Sequence, residues 1–315
     1  MSERMSQRKF NHVAVLMGGL SAEREVSLRS GAACAEALEK AGYRVSRIDV
    51  GRDAGERLAA LKPDVCFNAL HGRWGEDGCV QGLLECLAIP YTHSGVLASS
   101  LAMDKALAKR VLRAAGVPVA EDAIVSRDAA AASHALEPPY VAKPIAEGSS
   151  VGVVIVPRGA EIPSDKISKI PAPNGLIMVE RYVAGRELTC GVIGDRVTGI
   201  IDIVPNDNLQ FYDYEAKYAP GGSRHILPAD LPCDVYRAVQ AHTLAAHRAL
   251  GCRGVSRADF RYDDTAGGSG EIVCLEVNTQ PGMTGTSLVP ELAQHAGISF
   301  VELVTWIVED ASVDR

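Results

Sequence analysis

The chain is 315 residues long, 47% hydrophobic and 23% charged, with a formal net charge of −7. That length corresponds to about two or three ordinary domains of a globular protein, and an acidic balance without a basic run excludes nucleic acid as a general partner. No apolar stretch reaches the ~20 residues of a membrane helix, and the polar start Met1–Lys9 carries no secretory pattern. The eight cysteines are scattered without CxxC spacing and read as reduced side chains of a cytoplasmic protein.

His12-Val-Ala-Val-Leu-Met-Gly-Gly19 is a continuous apolar run ending in two glycines, which suits a strand buried on both faces. A helix is predicted over Ser21–Ala41, a strand over Tyr43–Val50, a helix over 53–61 and a strand over Val65–Leu70. Apolar strands alternating with helices predict a Rossmann-like parallel sheet that runs to about residue 95. Ligands of such sheets sit at the carboxyl ends of the strands, where two polar loops fall. In Ser21-Ala-Glu-Arg-Glu-Val-Ser27, Glu23 either complements the helix dipole or faces the crevice and grips an ammonium group. In Ala69-Leu-His-Gly-Arg-Trp-Gly-Glu-Asp-Gly78, His71 and Glu76 would line the same crevice, although single histidines are more often structural. Gly18-Gly19-Leu20-Ser21 is not GxGxxG, which counts against a nicotinamide dehydrogenase.

From Ser99 the pattern changes. One helix is predicted over Ser99–Ala115, with Gly116 and Pro118 past its end. Short strands over Tyr140–Lys143 and Val151–Val156 flank a small-residue loop, and Pro157–Pro173 reads as loop or weak helix. Strands follow over Leu176–Arg181, Glu187–Ile193 and Val197–Val204. The polar segment 206–227 holds three of the nine tyrosines within Phe211-Tyr-Asp-Tyr-Glu-Ala-Lys-Tyr218 and suits a lid, with Gly221-Gly222 as a hinge. A helix over Asp234–Leu250, a hairpin and a helix around Phe300–Asp310 complete an α+β half.

That hairpin carries the most chemistry. Val255–Asp264 and Ile272–Thr279 read as strands joined by the glycine-rich Thr265–Gly270. Strict alternation puts Arg257, Asp259 and Arg261 on one face; on the partner it puts Cys274, Glu276 and Asn278 on one side and Val273, Leu275 and Val277 on the other. Pairing gathers Asp259, Glu276 and Asn278, and like charges so placed repel unless a cation sits between them. Hard oxygen donors suit Mg²⁺, which arrives with phosphates; ordinary surface salt bridges are the plainer alternative. Gln280–Ser287, running off the second strand, can aim backbone N–H groups at an anion. Lys143 at a strand end, before Glu147-Gly-Ser-Ser150, could cap a polyphosphate, or the loop is a simple hairpin turn; it is not a Walker loop. Glu180 could accept from an adenine amino group or a ribose hydroxyl, or form a surface salt bridge.

Together these motifs resemble the ATP-grasp superfamily and, within it, the D-alanine–D-alanine ligase family. The strings that carry the resemblance are Gly18-Gly19 with Ser21–Ser27, Ala69-Leu-His-Gly72, Gly75-Glu-Asp-Gly78, Met103-Asp-Lys105 and Lys143-Pro144 with Glu147–Gly152. Phe211–Tyr218, Arg257-Ala-Asp259, Leu275-Glu-Val-Asn-Thr279 and Pro281-Gly-Met-Thr284 with Ser287-Leu288 follow in order, so the set spans about residues 12 to 310.

The resemblance implies an α/β and α+β multidomain protein. A Rossmann-like domain over 1–95 would precede an ATP-grasp fold of two antiparallel-sheet subdomains, 96–182 and 183–315, the second with the 206–227 lid and with ATP between the sheets. It implies ligation of two D-alanine molecules through an acyl phosphate, releasing ADP and phosphate, for peptidoglycan precursors, by a cytoplasmic homodimer that uses neither membrane nor nucleic acid. ATP would be held by Lys105, Lys143, Glu147, Ser149, Ser150, Glu180, Tyr182, Val183, Glu187 and Lys217. Asp259, Glu276 and Asn278 would hold two Mg²⁺, replaceable by Mn²⁺. Arg257 and the Gly282 N–H would stabilise the oxyanion. Glu23, beside His71, would bind the first substrate's ammonium. Ser287, Leu288 and Tyr218 would take the second substrate, with Ser149 linking Glu23 to Tyr218. Against the family pattern, Gln280 replaces a common serine, Trp74 a glycine or tyrosine, and Ala258 a larger aliphatic. The alternatives are a D-alanine–D-lactate ligase, whose lid differs from Glu215-Ala-Lys-Tyr218, another ATP-grasp carboxylate–amine ligase, and a non-catalytic nucleotide sensor.

Overall fold

A computed structural model describes residues 8–148, 151–206 and 222–315. The chain packs into two compact units, one of residues 1–99, 252–256 and 279–315, the other of residues 100–251 and 257–278.

The first unit is built on a parallel sheet of order β2-β1-β3, with β1 (His12–Met17) between β2 (Arg44–Asp49) and β3 (Val65–Asn68). Every β1 residue is buried, as a central strand covered on both faces requires. Helices α1 (Arg24–Lys40), α2 (Ala54–Leu61) and α3 (Cys79–Cys86) connect and follow the strands. Ala14, Leu16, Ile48, Leu58, Cys66 and Leu84 form the core on one side. Residues 279–315 rejoin this unit, and their last helix packs against α1.

The second unit holds two antiparallel sheets. One has the order β4-β7-β5-β6, from Asp122–Ser126, Leu176–Arg181, Tyr140–Lys143 and Val154–Val156. The other has the order β10-β9-β8-β11-β12, from Ser223–Ile226, Arg196–Pro205, Arg186–Ile193, Val255–Tyr262 and Ile272–Asn278. Helices α6 (Arg127–Ala132) and α7 (Ser164–Ile167) contribute to a core around Tyr140, Ile167, Ile177 and Val179. Helix α8 (Cys233–Ala249) packs on β8 and β9. In the first unit, α9 (Leu288–His295) and α10 (Phe300–Glu309) close the chain.

Two sequence expectations change. The helix expected over 99–115 is two helices, α4 (Val96–Met103) and α5 (Lys105–Ala114). They are separated by Asp104, whose backbone is extended and whose side chain accepts from the Leu107 N–H at 2.9 Å. An Asp in that role ends one helix and starts the next, and so places Lys105 at a helix start. The second change lies in the hairpin. β11 and β12 pair with Asp259 opposite Glu276, but Phe260 is opposite Cys274, so Leu275 is an extra residue. This bulge resets the alternation. Leu275 joins Glu276 on the face of Asp259, Val273 follows on that face opposite Arg261, and Cys274 turns with Phe260 to the other, buried face, reversing the three placements that strict alternation predicted.

Replacing Asp104 by Ala should lower stability by about 1 kcal/mol through loss of the cap. Chemical unfolding of the two proteins measures it; equal midpoints would show that the break does not depend on the cap.

Candidate active site

The predicted residues fall into two sets, one in each unit. In the second unit a single pocket is lined by Lys105, Lys143, Glu147, Glu180, Tyr182, Val183, Glu187, Asp259 and Glu276, all of which the sequence nominated. Lys143 ends β5, and its ammonium pairs with Glu180 Oε1 on β7. Lys105 Nζ donates to the Glu147 carbonyl at 2.6 Å and stands 3.5 Å from Glu276 Oε2. The loop after Lys143 is therefore tied back to the first residue of α5.

Glu180 is only 3% exposed, which removes the surface salt-bridge alternative. Burial alone would push its carboxyl up, but Lys143 and then Lys109 hold it below the ordinary carboxylate range. Lys109, absent from the sequence reading, reaches Glu180 Oε2 at 2.9 Å and Asp122 Oδ1 at 3.1 Å. Its only signal was a lysine beside Ala108 and three residues before Leu112, on the buried stripe of α5.

Arg261 was also missed as a site residue, although alternation placed it beside Asp259. It donates to the Val183 and Gly185 carbonyls at 3.1 and 2.8 Å and lies 3.5 Å from Glu187. The turn that presents Tyr182, Val183 and Glu187 is thus held from the hairpin.

Asp259 is buried and heavily bonded. Arg257 Nε and Nη2 donate to its two oxygens at 2.8 and 2.7 Å, and Thr189 Oγ1 on β8 donates at 2.6 Å. The Asn278 amide adds a bond of 3.2 Å. Glu276 stands directly across the strand pair from Asp259. Among the described residues no group of three His, Cys, Asp or Glu is assembled for a metal. Two carboxylates and an amide nevertheless fit Mg²⁺, which takes few protein ligands and completes its shell with water and phosphate. The bulge strengthens the fit, because it turns the thiol of Cys274 away from the oxygen cluster. A half-turn of the Asn278 amide would present its oxygen instead of its nitrogen.

The first unit holds the second set. Glu23 stands at the start of α1 but makes no side-chain cap bond. Its carboxylate lies against Gly72, where a Cβ would collide with it and where φ is +69°. Gly72 is therefore required both by its backbone and by the carboxylate beside it. His71 Nε2 is 3.0 Å from Ser30 Oγ, and Nδ1 is 3.4 Å from Glu76 Oε1. Ser30 Oγ also accepts from the Met283 N–H at 3.3 Å, so the 280–287 loop is joined to α1 and to His71. Within that loop Ser287 Oγ accepts from the Thr284 N–H at 2.9 Å and is within 2.8 Å of Thr284 Oγ1. Gly282 has no room for a Cβ beside Ser287 Oγ, and Leu288 opens α9 as a buried residue. Gln280 is buried, and its amide donates to the Asn68 carbonyl at the end of β3. Trp74 is accommodated at φ +74° with the Arg73 guanidinium 4.9 Å from its ring. The predicted Ser149, Ser150, Lys217 and Tyr218, with most of the lid, lie outside the described residues.

The family models described as D-ala D-ala ligase N-terminus and C-terminus match residues 50–94 and 111–309. The chain belongs to the D-alanine–D-alanine ligase family. A D-alanine–D-alanine ligase of Parvibaculum lavamentivorans is 64% identical over 99% of this chain and 100% of its own length. One of Methylocella silvestris is 65% identical over 96% and 99%. The crystal structure of the Bacillus anthracis D-alanine–D-alanine ligase complexed with ATP superposes with a TM-score of 0.79, at 32% identity over 96% of this chain and 97% of that one. The VanG D-Ala:D-Ser ligase of Enterococcus faecalis also gives a TM-score of 0.79, at 28% identity over 95% and 99%. The ATP-grasp fold, with its parallel sheet and two antiparallel sheets, is thus the observed architecture of this family member.

The pairing at Glu180 has a pH consequence. A carboxyl whose folded value lies below its unfolded value, about 4.3 for Glu, adds stability above that pH and loses it as the pH falls through the lowered value. The parent should therefore lose unfolding free energy steeply below about pH 4.3, and Glu180→Gln less steeply. Equal slopes in urea titrations between pH 7 and 3 would contradict the assignment.

Proposed function

We propose that this chain joins two D-alanine molecules into D-alanyl-D-alanine while converting ATP to ADP and phosphate. The supporting observation is the pocket that collects Lys105, Lys143, Glu147, Glu180, Tyr182, Val183 and Glu187 with Asp259 and Glu276, in a chain 64% identical to a ligase of that name. A polyphosphate chain, an adenosine and a hard cation each find their complement there.

The carboxylate of the first D-alanine attacks the γ-phosphorus and displaces ADP, giving an acyl phosphate. The amine of the second attacks the acyl carbon, and the tetrahedral adduct expels phosphate. Glu23 binds the first ammonium group, beside His71 held by Ser30 and Glu76. Ser287 and Leu288 take the second substrate, with Tyr218. Lys105 and Lys143 face the nucleotide phosphates with Ser149 and Ser150, and Lys217 faces the transferred one. Glu180, Tyr182, Val183 and Glu187 receive the adenosine. Asp259, Glu276 and Asn278 would hold Mg²⁺, or Mn²⁺ in its place, which supplies charge stabilisation to the phosphoryl oxygens. Arg257 and the Gly282 N–H stabilise the oxyanion of the adduct. The guanidinium of Arg257 rests on Asp259, so its turn toward the adduct needs another positive charge at that carboxylate.

No helix among the described residues is long and apolar enough to cross a membrane. A cytoplasmic homodimer that supplies the dipeptide for peptidoglycan is the biological setting we propose, with the segments 1–95, 96–182 and 183–315 acting as its three domains.

D-Alanine-dependent phosphate release from Mg-ATP tests this reading. Glu276→Gln should reduce turnover at least ~10–100-fold, the scale on which even outer partners of a metal site act, while ADP binding persists. Unchanged turnover would remove Glu276 as a ligand. With D-alanine and D-lactate supplied together near neutral pH, the dipeptide should dominate; preferential depsipeptide formation would assign the chain to D-alanine–D-lactate ligation instead.

A further inference from the structure

We propose that Lys109 is a positioning residue that keeps Glu180 ionised and in place when Lys143 leaves it for a nucleotide phosphate. The proposal rests on the ATP-using reading of the pocket and adds a requirement to it.

Asp122 on β4 and Glu180 on β7 are directly opposite each other in the sheet. Two acids so placed repel; Glu180 is buried here and Asp122 partly so. Lys109 reaches across from α5 and touches both, at 3.1 and 2.9 Å. It is itself 1% exposed, so its ammonium has been taken out of water for this contact. The two oxygens of Glu180 are divided: Oε1 pairs with Lys143, which lines the pocket, and Oε2 with Lys109, which does not.

That division makes sense only if one partner is expected to move. Lys143 is shared between a protein carboxylate and any phosphate that enters, and an ammonium drawn to a phosphate leaves Glu180 short of one counter-charge. A buried carboxylate stripped of its only cation would take up a proton and could no longer accept a hydrogen bond from a nucleotide at both oxygens. Lys109 removes that outcome, because it does not line the pocket and keeps its contact with Glu180 Oε2. The charged groups around Glu180 are Asp122 from β4, Lys143 from β5 and Lys109 from α5; Arg113, one turn further along α5, is engaged by Asp122 at 2.9 Å. Glu187 and Arg261, paired at 3.5 Å, and Lys105 with Glu276, paired at 3.5 Å, line the same pocket.

The test is calorimetric ADP binding by the full-length chain between pH 6 and 8.5, alongside steady-state kinetics, for the parent, Lys109→Met and Lys109→Arg. Lys109→Met should weaken ADP binding about tenfold at pH 8, with the deficit growing as pH falls because Glu180 then takes up a proton. The ATP KM should follow, while the D-alanine KM and kcat stay within about twofold. Lys109→Arg should restore both affinity and the flat pH profile. ADP affinity in Lys109→Met equal to the parent at every pH overturns the proposal, as does an equal, pH-independent loss in all parameters, which a merely structural lysine would give. If the methionine variant does not fold, Lys109→Gln carries the same reading, and parent-like binding by it is equally fatal. A parent that binds no ADP would remove the ATP reading itself; parent binding with an unaltered variant removes only the role of Lys109.

Discussion

Acids that face each other across neighbouring strands set the terms for the whole second unit. There are two such pairs, Asp122 with Glu180 across β4 and β7, and Asp259 with Glu276 across β11 and β12. Neither is tolerable without positive charge, and the fold supplies it differently in each case. The first pair is bridged by one buried lysine that touches both acids. In the second, Asp259 is held by Arg257 and Glu276 stands near Lys105. Both of these cations belong to the set assigned to phosphate or oxyanion. The first pair is thereby closed, and the second is the one we propose for a divalent ion and its phosphates.

The same economy of contacts appears in the first unit. A loop that carries Gly282 and Ser287 cannot position them by itself, since glycine and hydroxyl groups pack weakly. It is held at Gln280 by the Asn68 carbonyl and at Met283 by Ser30, whose hydroxyl also meets His71. Gln280 and Ser30 thus tie the C-terminal loop to the end of β3 and to α1. Gln280 has a visible task there: its amide reaches a backbone carbonyl at the end of β3.

Much of this was legible in the chain because it depends on local pattern. Apolar runs ending in glycine located the parallel strands, and alternation placed Arg257, Asp259 and Arg261 together. The motifs and the resemblance pointed to the pocket, and nine of the residues they nominated do line it. The errors came where one residue outweighs a pattern. A single inserted residue at Leu275 reversed the faces of Leu275, Cys274 and Val273, and periodicity contains no signal for an insertion. Asp104 broke a helix that composition alone would continue. Lys109 looked like an ordinary helix-surface lysine, because its partners are 13 and 71 residues away in the chain.

By itself, then, the sequence determined the strand–helix order, the motif set of the family and the chemical types at the proposed binding positions, all of which follow from residues near one another in the chain. Only the tertiary structure decided which charges neutralise which, that the thiol of Cys274 faces away from the oxygen cluster, and that residues 279–315 return to the unit built by the first 99. Those outcomes depend on distances between segments far apart in sequence, where burial turns a weak surface attraction into an obligatory pairing.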